Sequence, residues 1–394
     1  MKVVRTFHTV GQGAFYSERF YEDGLLEASY NIVYDCGVAN GCGYKRKSER
    51  VVKQAFNKDD EIDYLFLSHL DYDHISLVKT LVSCVKRVKN IVLPLISDDE
   101  IIIAIAYYKI FDFRFEAGFL NKIREALSKT KKTDSEDGGF IILSSEGRAD
   151  KGVIEFSGAS IKNRDDSIRP GWIPEWVFIP YNVNCSARRQ ELKERIEDLF
   201  QNQDFVGDLN RISNHSIQNA DVLFDWLKNE QFVEEVIGNS FLGKSLREAY
   251  KSVAGGINEN SLLLYSGPAS SDSHFEVREV FPFRYNWHYH LWHNSGCLYT
   301  GDCSFDINFW KSSAFPSVWN NIGVIQIPHH GSLKSFDIAS NPIDRQYLMP
   351  VSCGTSNSFS HPSGKVLAYL LTQSCFPHIV SEQTNTLLMI EIVG

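Results

Sequence analysis

Short apolar, β-branched runs fill both ends of the chain, and a helical period fills much of its middle. Val3-Val4-Arg5-Thr6-Phe7 and Tyr30-Asn31-Ile32-Val33-Tyr34 predict strands over residues 3–10 and 30–35. A glycine turn, Val10-Gly11-Gln12-Gly13-Ala14-Phe15, lies between them, and Asp35-Cys36-Gly37 closes the second. Residues 48–57 predict a helix, Tyr64-Leu65-Phe66-Leu67 a buried strand, Leu77–Val88 a further helix, and Asn90–Pro94 a short strand ending at proline. From about 98 to 255 the pattern turns mixed but helix-rich. Helices are expected at Asp98–Tyr108, Phe119–Lys129, Arg188–Phe200, Gln218–Lys228 and Phe232–Ala254, with a charged loop at Lys131–Gly139. Trp172, Trp176, Phe178 and Tyr181 are expected as core or lid aromatics. The β-pattern resumes at Asn260–Tyr265, with a hairpin over Glu276–Trp292 and strands at Leu298–Tyr299, Val324–Ile327 and Tyr347–Ser352. Strands alternating with helices on this scale predict an α/β fold.

Composition narrows the class. At 394 residues, 43% hydrophobic and 23% charged, the chain can bury the core of one large domain or two. A formal net charge of −9 argues against an extended, sequence-independent nucleic-acid coat, while leaving room for a local basic groove. The eight cysteines are scattered, without CxxC spacing. No signal-type h-region follows Met1 and no run approaches a membrane span, so a reducing cytoplasm is the expected setting.

The strand at Tyr64–Leu67 ends in Ser68-His69-Leu70-Asp71-Tyr72-Asp73-His74, which places four potential ligands within six residues. Divalent metals need neutral imidazoles and carboxylates converging on one point, and a strand-to-helix loop can offer several at once. Helix capping would call for Asp73 alone. Three more strand ends carry the same chemistry: Thr300-Gly301-Asp302, Pro328-His329-His330-Gly331-Ser332 and the loop reaching His361-Pro362. Taken singly, Asp302 is an ordinary turn residue and the histidines ordinary loop residues. Taken together, Asp or His at every strand end of one alternating chain points to a shared site, because strand ends converge at one sheet edge. His288, His290 and His293 fit a half-exposed strand, and His8, His215, His274 and His378 are isolated.

These pieces resemble the metallo-β-lactamase-fold hydrolases. The subgroup they look most like is the one typified by the hydrolase domain of the DNA-uptake competence protein ComEC. VGQGAF, YDCG, SHLDYDH, NENSLLL, TGD, IPHHGS and VSCGTSNSFSHP occur in that order, over residues 3–95 and 255–394. Asp71 stands where many members carry histidine, as the competence-type subgroup often does. No histidine takes the usual place between the HxDxDH loop and TGD, so His330 is expected to supply that ligand. The resemblance implies an αββα sandwich as a single domain over 1–394, with about 98–255 as a long helix-rich insertion, a possible lid or docking surface. It implies a metal set of His69, Asp71, Asp73, His74, Asp302, His330 and His361. His69 and Asp71 would share one ion with His330, Asp73 and His74 the other with His361, and Asp302 would bridge. The two divalent ions would usually be zinc, with manganese the alternative, toward which the hard oxygen of Asp71 shifts the expectation slightly. Asp73 and His329 are the candidate catalytic residues, and Ser332 and Lys334 the candidate substrate-binding pair.

The function implied is metal-dependent hydrolysis of a phosphodiester in nucleic acid or a nucleotide, with no membrane partner. Hydrolysis of a lactone, thioester or phosphorylcholine ester is the alternative. A third reading is a conditionally active component of a bacterial antiphage system, docked to a protein partner through the insertion. A basic rim at the metal edge would favour phosphodiesters; an apolar pocket built from the tryptophans of 98–255 would favour lactones.

Overall fold

The computed structural model describes residues 1–93, 139–142, 154–156, 172–182, 186–252, 261–282 and 294–394, less positions 40, 70, 174, 228, 274, 337 and 339–341. It divides into two compact units. The first takes in the described parts of Met1–Pro94, Thr133–Val183 and Asn260–Gly394; the second takes in those of Leu95–Lys132 and Asn184–Glu259.

Two sheets build the first unit. One contains β1 (Lys2–Phe7), β2 (Phe15–Tyr21), β3 (Tyr30–Cys36), β4 (Glu61–Phe66), β5 (Arg87–Leu93), β6 (Gly139–Ile142) and β7 (Ile154–Phe156) in that spatial order. The other contains β8 (Trp176–Asn182), β9 (Leu262–Pro268), β11 (Gly296–Tyr299), β12 (Ile322–Ile325), β13 (Leu348–Ser352) and β14 (Phe376–Val380). Strands β15 (Leu388–Val393) and β10 (Glu276–Phe281) extend the first sheet beyond β1. Their facing sides supply one core: Phe7, Tyr16, Phe20, Tyr34 and Phe66 meet Trp176, Phe178, Leu262, Leu264, Tyr299, Val324 and Leu348. The alternate residues of the second sheet, Leu263, Tyr265, Leu298, Ile325 and Met349, turn to its other face. There they pack with Val366 and Leu370 of a helix over Gly364–Thr372, as the two-residue period of a strand requires. On the first sheet's side lie α1 (Lys45–Ala55), α2 (Tyr72–Ile75) and α3 (Val78–Cys84), with Val52, Ile75 and Leu81 buried. This is the αββα sandwich expected.

A polar network crosses the core. Arg5 and Glu18 are both fully buried, with Arg5 Nε donating to Glu18 Oε1 at 2.6 Å. The Tyr299 hydroxyl donates to Glu18 Oε1 and Ser266 Oγ to Oε2, while the Arg5 guanidinium donates to the carbonyls of Ser295 and Ser266. A buried ion pair is tolerated only when its remaining polar atoms are satisfied, and here strands of both sheets satisfy them. The same pair explains why β2 did not read as a strand: Glu18 and Arg19 break the apolar pattern of Phe15–Tyr21, and one of them points inward.

The second unit has its own core, with Leu192, Ile196, Phe205, Leu209, Leu223, Phe224, Val233, Val236 and Leu242 from five helices. These are α4 (Ser186–Leu199), α5 (Gln203–Ser213), α6 (Ala220–Leu227), α7 (Glu230–Gly238) and α8 (Ser240–Ser252). The single helix expected over Phe232–Ala254 is two, because Asn239 interrupts it and its side chain accepts hydrogen bonds from the amides of Phe241 and Leu242. Strands β6, β7 and β8 fall within 98–255 yet pair in the two sheets. Trp176 and Phe178 are core residues. The helices expected at 98–108 and 119–129, and the histidines His274, His288, His290 and His293, lie outside the described residues.

Candidate metal centre

Parallel pairing sets up the site. β3, β4 and β5 run parallel in one sheet and β11, β12, β13 and β14 in the other, so their C-terminal ends collect at the edges of the sheets. β4 leads into Ser68-His69, β11 into Asp302, β12 into His329-His330, and β13 into the loop that ends at His361. Backbone contact holds the HxDxDH loop at the sheet end: the Ala14 amide donates to the Asp73 carbonyl at 3.0 Å. A Cβ on Gly37 would lie 2.4 Å from that carbonyl oxygen, so only glycine fits there. This is the structural reason for the glycine closing YDCG.

The histidines of the cluster are oriented by their Nδ1 atoms. His74 Nδ1 is 2.8 Å from Asp35 Oδ2, His69 Nδ1 is 2.9 Å from Ser68 Oγ, and His330 Nδ1 is 2.8 Å from the Ser352 carbonyl. His329 Nδ1 is 2.7 Å from Ser335 Oγ. With Nδ1 engaged, Nε2 of each faces the acids. His74 Nε2 lies 3.1 Å from Asp302 Oδ1, and His330 Nε2 lies 3.1 Å from Asp73 Oδ2. His69 Nε2 lies 3.8 Å from Asp302 Oδ2 and 3.9 Å from Asp71 Oδ2, and His329 Nε2 lies 3.8 Å from Asp302 Oδ2. Two overlapping donor groups result: His69, His74 and Asp302, and Asp73, His74 and His330. His361 lies beside the cluster, in neither donor group, its ring 6.3 Å from that of His330 and 5.8 Å from that of His329.

The grouping of ligands differs from the expected one. His330 faces Asp73 and His74 rather than His69 and Asp71, because its Nδ1 anchor at Ser352 turns Nε2 that way. Ser332 is buried, with its amide donating to the His329 carbonyl, and Lys334 is exposed two residues on. Asp35 has a role that the motif spacing does not reveal. It sits at φ 55°, accepts from the Ser68 amide and hydroxyl, and holds His74.

Electrostatics match a cation site. Burial, with His74 nearby, pushes His69 down to about 3, leaving a neutral ligand at ordinary pH. Burial and the neighbouring His330 and His329 push His361 down to about 4. For His74, burial works downward, but Asp302 and Asp35 outweigh it and hold the ring well above its usual range. Asp302 is buried too, yet His74, His329 and His69 hold it well below the carboxylate range. Among the described residues, His69 Nε2 and His361 Nδ1 are buried without a hydrogen-bond partner. Buried polar atoms are rarely left unpaired, and a divalent cation among these imidazoles and carboxylates would satisfy them. The donor set therefore fits metal ions.

The sequence profile of the metallo-beta-lactamase superfamily matches residues 25–83, a span that contains β3, β4 and the HxDxDH loop. Asp302, His330 and His361 lie beyond that span. No curated protein matches the chain.

Proposed function

We propose that this chain is a metal-dependent hydrolase with a dinuclear site, cleaving phosphodiester bonds. One observation carries the reading: two donor groups lie side by side, one with His69 and Asp302, the other with Asp73 and His330, and His74 stands where they overlap. The superfamily match over the HxDxDH loop supports hydrolysis. Two divalent cations there would acidify a water and neutralise both the attacking and the leaving oxygen of an in-line displacement. The protein's own part is positional. Asp35 holds the His74 ring, Ser352 holds that of His330, and Asp302 reaches toward three imidazoles at once.

His329 is the group left for proton transfer. It lies beside Asp302, its Nδ1 is held by Ser335, and it belongs to neither donor group. A positioned imidazole at the metal edge can give a proton to a departing alkoxide. Of the tryptophans of 98–255, Trp176 is fully buried between the sheets, while Trp172 and Trp226 are partly buried at the margins of the two cores. The deciding experiment is a screen of zinc- and manganese-loaded protein against single-stranded DNA, RNA, cyclic nucleotides, bis(p-nitrophenyl) phosphate and a lactone. Phosphodiester turnover that depends on Asp302 is expected. Turnover of the lactone alone would overturn the substrate assignment.

A further inference from the structure

Helix α1 stands apart from the charge balance of the chain. Its sequence, KRKSERVVKQA, carries Lys45, Arg46, Lys47, Arg50 and Lys53 against Glu49 alone, in a protein of net charge −9. Arg46, Arg50 and Lys53 recur at helical spacing and are exposed, forming one stripe about 10 Å long at ~1.5 Å per residue. Other basic residues of the same unit are neutralised: Lys86, Arg87 and Lys89 pair with Glu61 or Asp63, and Arg19 pairs with Asp60. No carboxylate among the described residues pairs with Arg46, Arg50 or Lys53.

The start of α1 is tied to both sides of the metal cluster. Lys45 Nζ donates to the hydroxyl of Tyr72, which lies between Asp71 and Asp73, at 2.7 Å. The Tyr44 hydroxyl accepts from the Gln12 amide, and Gln12 Oε1 accepts from the Gly354 amide in the loop that ends at His361. That loop carries a second exposed element. Phe359 is 64% exposed, and its ring lies 5.7 Å from that of His361 with 28° between the planes. The loop is rigid at this point: Asn357 Oδ1 accepts from the amides of Phe359 and His361, and Asn357 Nδ2 donates to the carbonyls of Gly354 and His361.

We propose that the stripe Arg46, Arg50, Lys53 and the ring of Phe359 form the binding path of a single-stranded polynucleotide, with its backbone on α1 and an unstacked base on Phe359. This rests on the phosphodiesterase reading and extends it from a small nucleotide to a polymer. A cationic track beside an aromatic platform is how proteins hold single strands without reading sequence. A single strand, more pliable than a duplex, also suits donors that lie buried. His69, His74, Asp302 and His330 are each at most 5% exposed.

The test uses the full metal-loaded chain and fluorescein-labelled 20-nucleotide DNA and RNA single strands, read by anisotropy across a series of salt concentrations. The variants are the triple R46Q/R50Q/K53Q and Phe359→Ala, with melting temperature and metal content as folding controls. Single strands should lose ~0.7 of salt slope per phosphate contact removed, so the triple variant should flatten the slope by about 2. Phe359→Ala should weaken binding by ~10-fold at every salt concentration, the slope unchanged, as expected for loss of one stacked base. An unchanged slope in the triple variant overturns the path, as does equal or tighter binding of duplex, or binding of anionic lipid vesicles in place of oligonucleotide. The wild-type chain is assayed in parallel on bis(p-nitrophenyl) phosphate. Turnover there without any oligonucleotide binding refutes the path and leaves the phosphodiesterase reading intact. Oligonucleotide binding through these residues, with no phosphodiester cleaved, supports the path and removes that reading.

Discussion

The two donor groups of the candidate metal centre overlap at His74 but are built differently. His69, His74 and Asp302 are all buried, and Ser68 and Asp35 lock the two rings from behind. In the other group Asp73 is partly exposed, with 26% of its side chain open to solvent, and the neighbouring His361 lies in the loop carrying exposed Phe359. One group is closed and pre-shaped; the other is open to solvent at Asp73. A closed set has little left to order when an ion enters, whereas an open set keeps positions for reacting oxygens. The closed group should therefore hold its ion more tightly.

The change with the largest expected effect breaks the closed group at its acid. Asp302 lies within 3.8 Å of three imidazoles, so Asp302→Ala removes the charge that His69, His74 and His329 share. Activity should fall by ~10³-fold or more with the fold retained, which steady-state kinetics and circular dichroism will show. Wild-type turnover in that variant would remove Asp302 from the site.

His329 stands beside Asp302 and outside both groups. His329→Ala should slow cleavage of a poor leaving group, such as a nucleoside alkoxide, by ~10²-fold. It should barely change bis(p-nitrophenyl) phosphate, whose leaving group needs no proton. Equal losses on both substrates would make His329 a ligand or a structural residue instead.

Asp35 sharpens the comparison from behind. Asp35→Asn keeps the size of the side chain but weakens its hold on His74 Nδ1. Metal affinity should drop by ~10–100-fold, the usual cost of losing the carboxylate behind a ligating histidine. Competition with a chromogenic chelator measures it. With Nδ1 turned to Asp35, His74 has one ring nitrogen, Nε2, left for an ion, so the loss should fall mainly on one ion; unchanged affinity at both would contradict the role of Asp35.

The smallest effect is expected in the helical unit. Exposed residues of α4, such as Lys193 paired with Asp221 and Arg195 with Glu191, are far from any donor in sequence. Substituting them should leave metal content unchanged, by elemental analysis, while altering substrate range or partner capture if this unit docks. Loss of metal from such variants would tie the helices to the centre.

Much of this centre was legible in the chain because its donors sit at strand ends, where the hydrophobic pattern stops and Asp or His follows at once. His69, Asp302 and His330 each end such a run. Asp35 stands within YDCG, but spacing does not show its task, since its partner His74 lies 39 residues away and only the folded backbone, with φ 55° at Asp35, joins them. The assignment of His330 between the two groups was equally hidden, because it depends on a carbonyl, that of Ser352, and not on spacing. In the fold, β2 was lost to its inward Glu18, a charge that pays its way only through Arg5, Tyr299 and Ser266 on other strands. Helix α1 was read from its period, but what its cations face is a property of the fold: Lys45 meets Tyr72, and Arg46, Arg50 and Lys53 meet solvent.

The most direct test of the dinuclear claim is metal stoichiometry, followed by titration of metal-free protein with zinc or manganese in a calorimeter. The account predicts about two equivalents per chain, bound in two steps, with the tighter step abolished by His69→Ala and the weaker by His330→Ala. Binding of one equivalent or none, or two equivalents untouched by both substitutions, would contradict it.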